Sequence, residues 1–358
     1  SLACYWFALL SKESGATVIL LVPLFDFILS SKPNDKKLKD YFLLDYFLPY
    51  FLFLLVLAAY LVIRFYVLSK VILPGQFTEM FLFNHFPLYN KGLTVFKIFA
   101  KYIYLLLIPV NLSFTHLLGF SKSIFELWTL VSIFLILALI SVAIVVYKKS
   151  TYLSFGILWI FITLLPVSHI MPIGVLMQER FAYLPSIGFC IAFGYFIAIL
   201  WRLNLSKTMS YALHIAIGIF VVALLFEFSF KTVERNNVWE NHYTLFSDVL
   251  KKYPNSYRGH VGLASYYEEQ GMLEEARRHL YIALKITGPS PHIALALSRI
   301  EVKMGNAEAA IHVLEQSLKY RPNDPDLHYN LMVIYRALGS EALAKQHEEA
   351  YKALSLKR

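Results

Sequence analysis

Glu179 and Arg180 stand side by side between two long apolar runs, in the stretch Pro166–Ser186, PVSHIMPIGVLMQERFAYLPS. An acid next to a guanidinium is costly in a membrane-embedded region, and such groups mark polar sites there. Arg carries a planar fork of donors that matches phosphate oxygens. A second acid–cation pair, Lys12-Glu13, lies in the turn LLSKESG. Taken singly, each pair reads as an interfacial ion pair of small energetic weight. Two such pairs on one side of a membrane would point to a shared polar cavity. His169 follows a proline and a serine in the same loop as Arg180. A lone histidine there is more simply a hydrogen-bonded loop residue than a base.

The elements that must hold these residues are mostly apolar. The chain has 358 residues, 58% hydrophobic, with a mean hydropathy of +0.56. That is too apolar for an ordinary soluble domain. After a short apolar opening, SLACYWFALL, seven apolar segments can be read near 15–38, 41–63, 93–110, 127–147, 151–165, 186–200 and 210–230. The opening begins at Ser1 and is about half the length needed to span a bilayer. It reads as the tail of a helix whose start lies upstream, so the sequence is expected to be part of a longer protein. Cys4 and Cys190 both sit within apolar runs, are expected to be buried free thiols, and leave the redox compartment open. No metal-binding motif is present.

Residues 1–230 hold sixteen Lys/Arg against nine Asp/Glu, whereas the rest is nearly balanced. The basic excess therefore belongs to membrane loops and not to a nucleic-acid patch. Lys32, Lys36, Lys37 and Lys39 mark one cytoplasmic loop, Lys148-Lys149 a second, and Arg202 with Lys207 a third. These assignments agree only if 93–110 does not cross. Its Lys97 and Lys101 lie on one helical face, which predicts a re-entrant or interfacial helix. Arg64–Phe125 and Pro166–Ser186 then fall outside, together with Lys12-Glu13. Asn111-Leu112-Ser113 is a short glycosylation sequon on that outer side, a pattern common by chance.

From Lys231 onward the composition shifts and a period of 34 residues emerges. Gly271, Gly305 and Gly339 recur at that spacing, as do Ala276, Ala310 and Ala344, and Leu263, Leu297 and Leu331. Tyr267 and Tyr335 share a register position at which the middle copy has Glu301. This pattern resembles tetratricopeptide repeats, which pair two antiparallel helices per unit. The expected division is a membrane region over 1–230, a connecting half repeat over 231–256 with Phe246 and Val249 in its packing positions, and three repeats over 257–358. The expected fold class is all-α: a polytopic transmembrane bundle followed by an α-solenoid.

Glu179-Arg180-Phe181-Ala182-Tyr183-Leu184-Pro185-Ser186, continued by Gly188-Phe189-Cys190, resembles the E-R-x-x-Y-L-P-S-x-G-F-C stretch of the transmembrane-and-TPR O-mannosyltransferases. The turn Leu10–Gly15, the segment Lys91–Thr115 and the C-terminal repeats are similar to that family as well, so the resemblance covers nearly the whole chain. It implies a truncated bundle of the GT-C type. It also implies an enzyme that takes a sugar, often mannose, from a dolichyl- or undecaprenyl-phosphate carrier and gives it to an acceptor, expected to be protein Ser/Thr. No other cofactor is implied. The membrane would be the endoplasmic reticulum or a bacterial inner membrane, with the repeats on the extracytoplasmic side binding acceptor or partner proteins. On this resemblance Arg180 and Lys12 meet the carrier phosphate, Glu179 and Glu13 orient those cations, Tyr183 lines the sugar pocket, and His169 joins the same site. The family's acidic motif lies in a first outer loop, upstream of Ser1, so the catalytic base is expected there and this part alone is expected to be inactive.

Two other readings compete. A non-catalytic, membrane-anchored repeat scaffold explains the repeats but leaves Glu179-Arg180 without work. A polymerase or O-antigen-ligase-type transferase would use a large outer loop rich in Arg and His. Here the longest outer stretch offers only Arg64, His85 and His116.

Overall fold

The computed structural model describes residues 1–28, 44–71, 87–168 and 175–356. The basic loop around Lys36, together with Glu79, His85 and His169, lies outside the described residues. The described residues are helical without a strand, and they divide into two compact units with the boundary between Lys231 and Thr232.

The first unit opens with α1 (Leu2–Ser11), a 3₁₀ turn (Glu13–Thr17), α2 (Val18–Ile28) and α3 (Leu44–Val71). It continues through α4 (Leu88–Leu107), α5 (Leu127–Val146), α6 (Thr151–Leu164), 3₁₀ turns at Leu165–Val167 and Glu179–Ala182, and α7 (Tyr183–Trp201). The next helix, α8 (Lys207–Val238), runs across the boundary. Among the described residues, four stretches are long and apolar enough to cross a membrane: Leu48–Val67, Leu127–Val146, Glu179–Trp201 and Lys207–Val238. Their outward residues are apolar, with Phe65, Phe134, Val145 and Phe226 each about three-quarters exposed. Helices apolar on the outside as well as the inside suit lipid and not water. The chain is a multi-pass membrane protein. Cys4 and Cys190 are free as expected, but they are exposed and not buried; on helices surrounded by lipid, an apolar run does not specify an inward face.

The helix α4 is built differently. It buries Leu93, Thr94, Ile98, Phe99, Tyr102, Ile103 and Leu105 along one stripe, within a core completed by Ile160 and Leu164 of α6 and by Leu176 and Met177. Its lysines lie outside that stripe. Lys97 Nζ donates to the Gly119 carbonyl at 2.9 Å and lies 3.9 Å from Glu126, while Lys101 sits over the Tyr104 ring. The helices α6 and α7 pack closely. A Cβ at Gly156 would stand 2.5 Å from the Gly188 carbonyl oxygen, and one at Gly188 would stand 2.5 Å from that of Gly156. Small residues let membrane helices approach backbone to backbone, and Trp159 Nε1 donates across the crossing to the Leu184 carbonyl at 2.9 Å.

The second unit contains α9 (His242–Lys252) and three helix pairs: α10 (Tyr257–Glu269) with α11 (Leu273–Thr287), α12 (Pro291–Lys303) with α13 (Ala307–Tyr320), and α14 (Pro325–Ala337) with α15 (Glu341–Ser355). Gly271, Gly305 and Gly339 end the first helix of each pair with φ of +75°, +82° and +73°. That left-handed conformation is costly for any residue with a Cβ. Ala276, Ala310 and Ala344 have no exposed surface. Phe246 of α9 fills the space a side chain at Gly262 would take, and Val249 is fully buried. Glu301, which breaks the tyrosine register, has a structural reason. Tyr335 donates to Glu315 at 2.8 Å, and Tyr281 donates to Glu301 at 3.1 Å. The two contacts occupy the same pair of register positions with tyrosine and glutamate exchanged. The hydrogen bond is kept and only its polarity reverses.

Candidate functional site

The site forms where two tight turns meet. At the end of α1 the chain passes through Lys12 in extended backbone into the turn Glu13–Thr17. Gly15 is required there, because a Cβ would stand 2.8 Å from the Ala8 carbonyl carbon and oxygen. The second turn, Glu179–Ala182, leads into α7. Between the turns lies a cavity of about 210 Å³, lined by Lys12, Ser14, Thr163, Pro166, Val167, Arg180, Phe181, Tyr183 and Leu184. The structure thus places Lys12, Arg180 and Tyr183 around one cavity, although 168 positions separate the two cations.

The electrostatics are one-sided. Lys12 Nζ is 5.9 Å from the centre of the Phe181 ring, and the Arg180 guanidinium carbon is 5.3 Å from it. Two cations share one aromatic ring, each drawn to its negative face. Among the described residues neither cation is ion-paired with a carboxylate, and none of the lining residues is acidic. Their mutual repulsion favours an anion in the cavity.

Glu179 does not face Arg180. Its Oε1 accepts the Ser113 backbone N–H and lies 3.2 Å from His116 Nε2. Successive residues of a 3₁₀ turn project about 120° apart, so neighbours in sequence serve opposite sides. Glu179 therefore contacts the loop after α4. The turn backbone around Glu13 borders the site; His169 lies outside the described residues. Among the described residues no group of three His, Cys, Asp or Glu side chains forms a metal cluster.

Residues 295–355 match the Tetratricopeptide repeat family. Over 222 residues, 59% of this chain, the sequence is 28% identical to Protein O-mannosyl-transferase TMTC1 of Homo sapiens, covering 24% of that protein. It is also 28% identical to Protein O-mannosyl-transferase F38B6.6 of Caenorhabditis elegans over 53% of this chain and 26% of that protein. With Protein O-mannosyl-transferase Tmtc1 of Drosophila melanogaster the figure is 30% over 36% of this chain and 15% of that protein. The chain resembles the transmembrane-and-TPR O-mannosyltransferases. The match spans about a quarter of the length of the first two of these relatives.

Several residues of the TMTC-like E-R-x-x-Y-L-P-S-x-G stretch have packing roles here. Pro185 and Gly188 are buried at the α6–α7 crossing, and Ser186 Oγ donates to the Tyr183 carbonyl at 2.6 Å. Arg180 and Tyr183 are exposed toward the cavity. The loop partners of Glu179 went unread in the sequence. His116 has 1% of its surface exposed and Ser113 none. Asn111 adopts a φ of +54°, which turns the chain sharply after Pro109. With its serine buried, the sequon in this TMTC-like segment is a folded loop. A sequence signal was the set of polar residues Asn111, Ser113, Thr115 and His116, alternating with Leu112 and Phe114 between two apolar helices.

Proposed function

We propose that this chain is part of a GT-C-type membrane glycosyltransferase that moves a hexose, mannose by analogy with its relatives, from a polyprenyl phosphate to a protein hydroxyl on the extracytoplasmic side. In this reading the cavity between Lys12 and Arg180 receives the carrier phosphate. The observation that carries it is the convergence of these two cations on one cavity whose described lining residues include no acid. In the donor the phosphodiester bears one negative charge, and on departure the carrier phosphate gains a second. Fixed cations hold the leaving group more tightly than the ground state, which is the condition for speeding the chemical step. Arg180 would bind two phosphate oxygens through its planar fork, and Lys12 would add a compact charge. Tyr183 borders the space left for the sugar. The general base would come from another part of the whole protein, and the repeats would hold the acceptor or a partner along their stacked helices. The carrier, dolichyl or undecaprenyl, follows from whichever membrane houses the protein.

The test is transfer from a polyprenyl-phospho-mannose donor by the full-length protein. Arg180→Ala is expected to lower kcat/KM by roughly 100-fold, the scale of losing one charge-stabilising donor. Unchanged transfer would remove the phosphate role of Arg180, whereas absence of transfer by the full-length parent would leave the scaffold reading as the better one.

A further inference from the structure

The carrier-phosphate reading raises a question of charge. Glu179 precedes Arg180 directly and could neutralise the cation that the phosphate needs. We propose that His116 is a positioning residue that holds the Glu179 carboxylate against the loop Asn111–His116, and so keeps it from competing with a phosphate for Arg180 and Lys12. The inference rests on the carrier-phosphate reading of the cavity.

Three observations carry it. Glu179 Oε1 meets both the Ser113 N–H and His116 Nε2, so one carboxylate oxygen is held twice from the loop side. His116 is itself fixed: it is almost fully buried, and its backbone N–H donates to the Met177 carbonyl at 3.3 Å. The residue between them is fastened too. Tyr102 Oη donates to the Gln178 carbonyl at 3.0 Å and accepts from the Gln178 N–H at 3.3 Å. Met177, Gln178 and Glu179 are thus tied in succession to buried groups of α4 and the following loop, and the next residue, Arg180, is the first to face the cavity. His116 does not line the cavity. Its effect on a bound phosphate must pass through Glu179. Without the imidazole, the carboxylate loses one of its two named loop partners and can turn toward the nearest cations, an internal anion of high effective concentration.

The experiment measures binding of a short-chain polyprenyl monophosphate to the full-length protein in nanodiscs, with inorganic phosphate as a parallel probe to separate headgroup from lipid recognition. His116→Ala is expected to weaken binding of both probes by about three- to tenfold, a fraction of the loss from Arg180→Ala, as fits an indirect electrostatic effect. The double variant His116→Ala/Glu179→Gln is expected to recover most of the affinity, because a neutral amide does not compete for the cations. A merely structural role for His116 predicts no such recovery. If Arg180→Ala binds the lipid phosphate as the parent does, the carrier reading falls. If Arg180→Ala loses affinity while His116→Ala does not, or while the double variant stays as weak as His116→Ala, the positioning role alone falls. Should His116→Ala fail to fold, the space-filling His116→Leu is measured with and without Glu179→Gln: weaker binding that Glu179→Gln restores supports the proposal, and no loss or no recovery overturns it.

Discussion

In the repeat unit a buried polar contact made once is made again 68 residues later. His260 Nδ1 lies 2.9 Å from His279 Nδ1, with His260 Nε2 3.1 Å from the Pro254 carbonyl. His328 repeats this with His347 at 2.9 Å and with the Pro322 carbonyl at 2.9 Å. Tyr267 stacks on His279 as Tyr335 stacks on His347. The middle copy has Ala294 and Val313 at the histidine positions, both buried. In the membrane unit the polar contacts around the cavity are unrepeated and join distant segments: Tyr102 with Gln178 and His116 with Glu179, while Lys12 and Arg180 meet at one shared ring. A solenoid needs only its neighbours, so a good contact can be copied with the repeat. A membrane bundle closes on itself, so each buried polar group requires a partner made for that place.

The strongest way to break this comparison is at the glycine contacts. Gly156→Leu in α6 drives a side chain into backbone of α7, where nothing can rotate away. We expect it to cost more than about 3 kcal/mol and to abolish a monodisperse peak on size-exclusion chromatography in detergent. Gly262→Ala meets the Phe246 ring and not backbone, and a ring can shift. It should cost about 1–3 kcal/mol, read as a lowered Tm with the membrane unit still folded. Equal damage from both would erase the distinction between the two packings.

A pH series should separate the copies within the solenoid. Burial first, then the neighbouring His260 imidazole and Arg278, push the His279 pKa down to about 4. Burial likewise lowers that of His260, against the pull of the Pro254 carbonyl, and that of His347, which also feels His328 and, in the opposite sense, Glu315. The His260–His279 pair is neutral at pH 7 when folded. The hydrogen bond to proline makes Nε2 of the first ring the donor, leaving its Nδ1 to accept from the second. A histidine with a depressed folded pKa stabilises the fold fully above its unfolded value near 6.5, and that stability is lost as pH falls toward about 4. The Tm of the repeat transition should therefore drop between pH 7.5 and 5. His260→Ala with His279→Val, the residues of the middle copy, should flatten that slope. An unaltered slope would mean that other groups set the acid sensitivity.

The smallest effect is expected at the surface cluster in which Glu268 accepts from Arg299 at 2.9 Å and from Lys303 at 2.6 Å. Both cations are about half exposed. Glu268→Ala should cost less than about 1 kcal/mol and still less in high salt, as a salt series of thermal melts would record.

Much of this architecture was legible because it is periodic or compositional. Runs of apolar residues gave away the long helices, since a bilayer demands a minimum apolar length. The 34-residue register of Gly, Ala and Leu revealed the helix pairs, since each repeat meets the same neighbour. Glu301 looked like an exception only because one strand of sequence does not show that Tyr281 had taken the complementary half.

The opening pair, Glu179-Arg180, marks where sequence alone stops. Residue types determined that a phosphate-matching cation and an acid stand next to each other beside an apolar helix. Only the tertiary structure decided that they part company, Arg180 to a cavity shared with Lys12 and Glu179 to the buried loop at Ser113 and His116. The reason is geometric. Adjacent side chains in a tight turn diverge, and which groups they meet depends on segments 63 and 168 positions away, whose approach is set by packing and not by any local pattern.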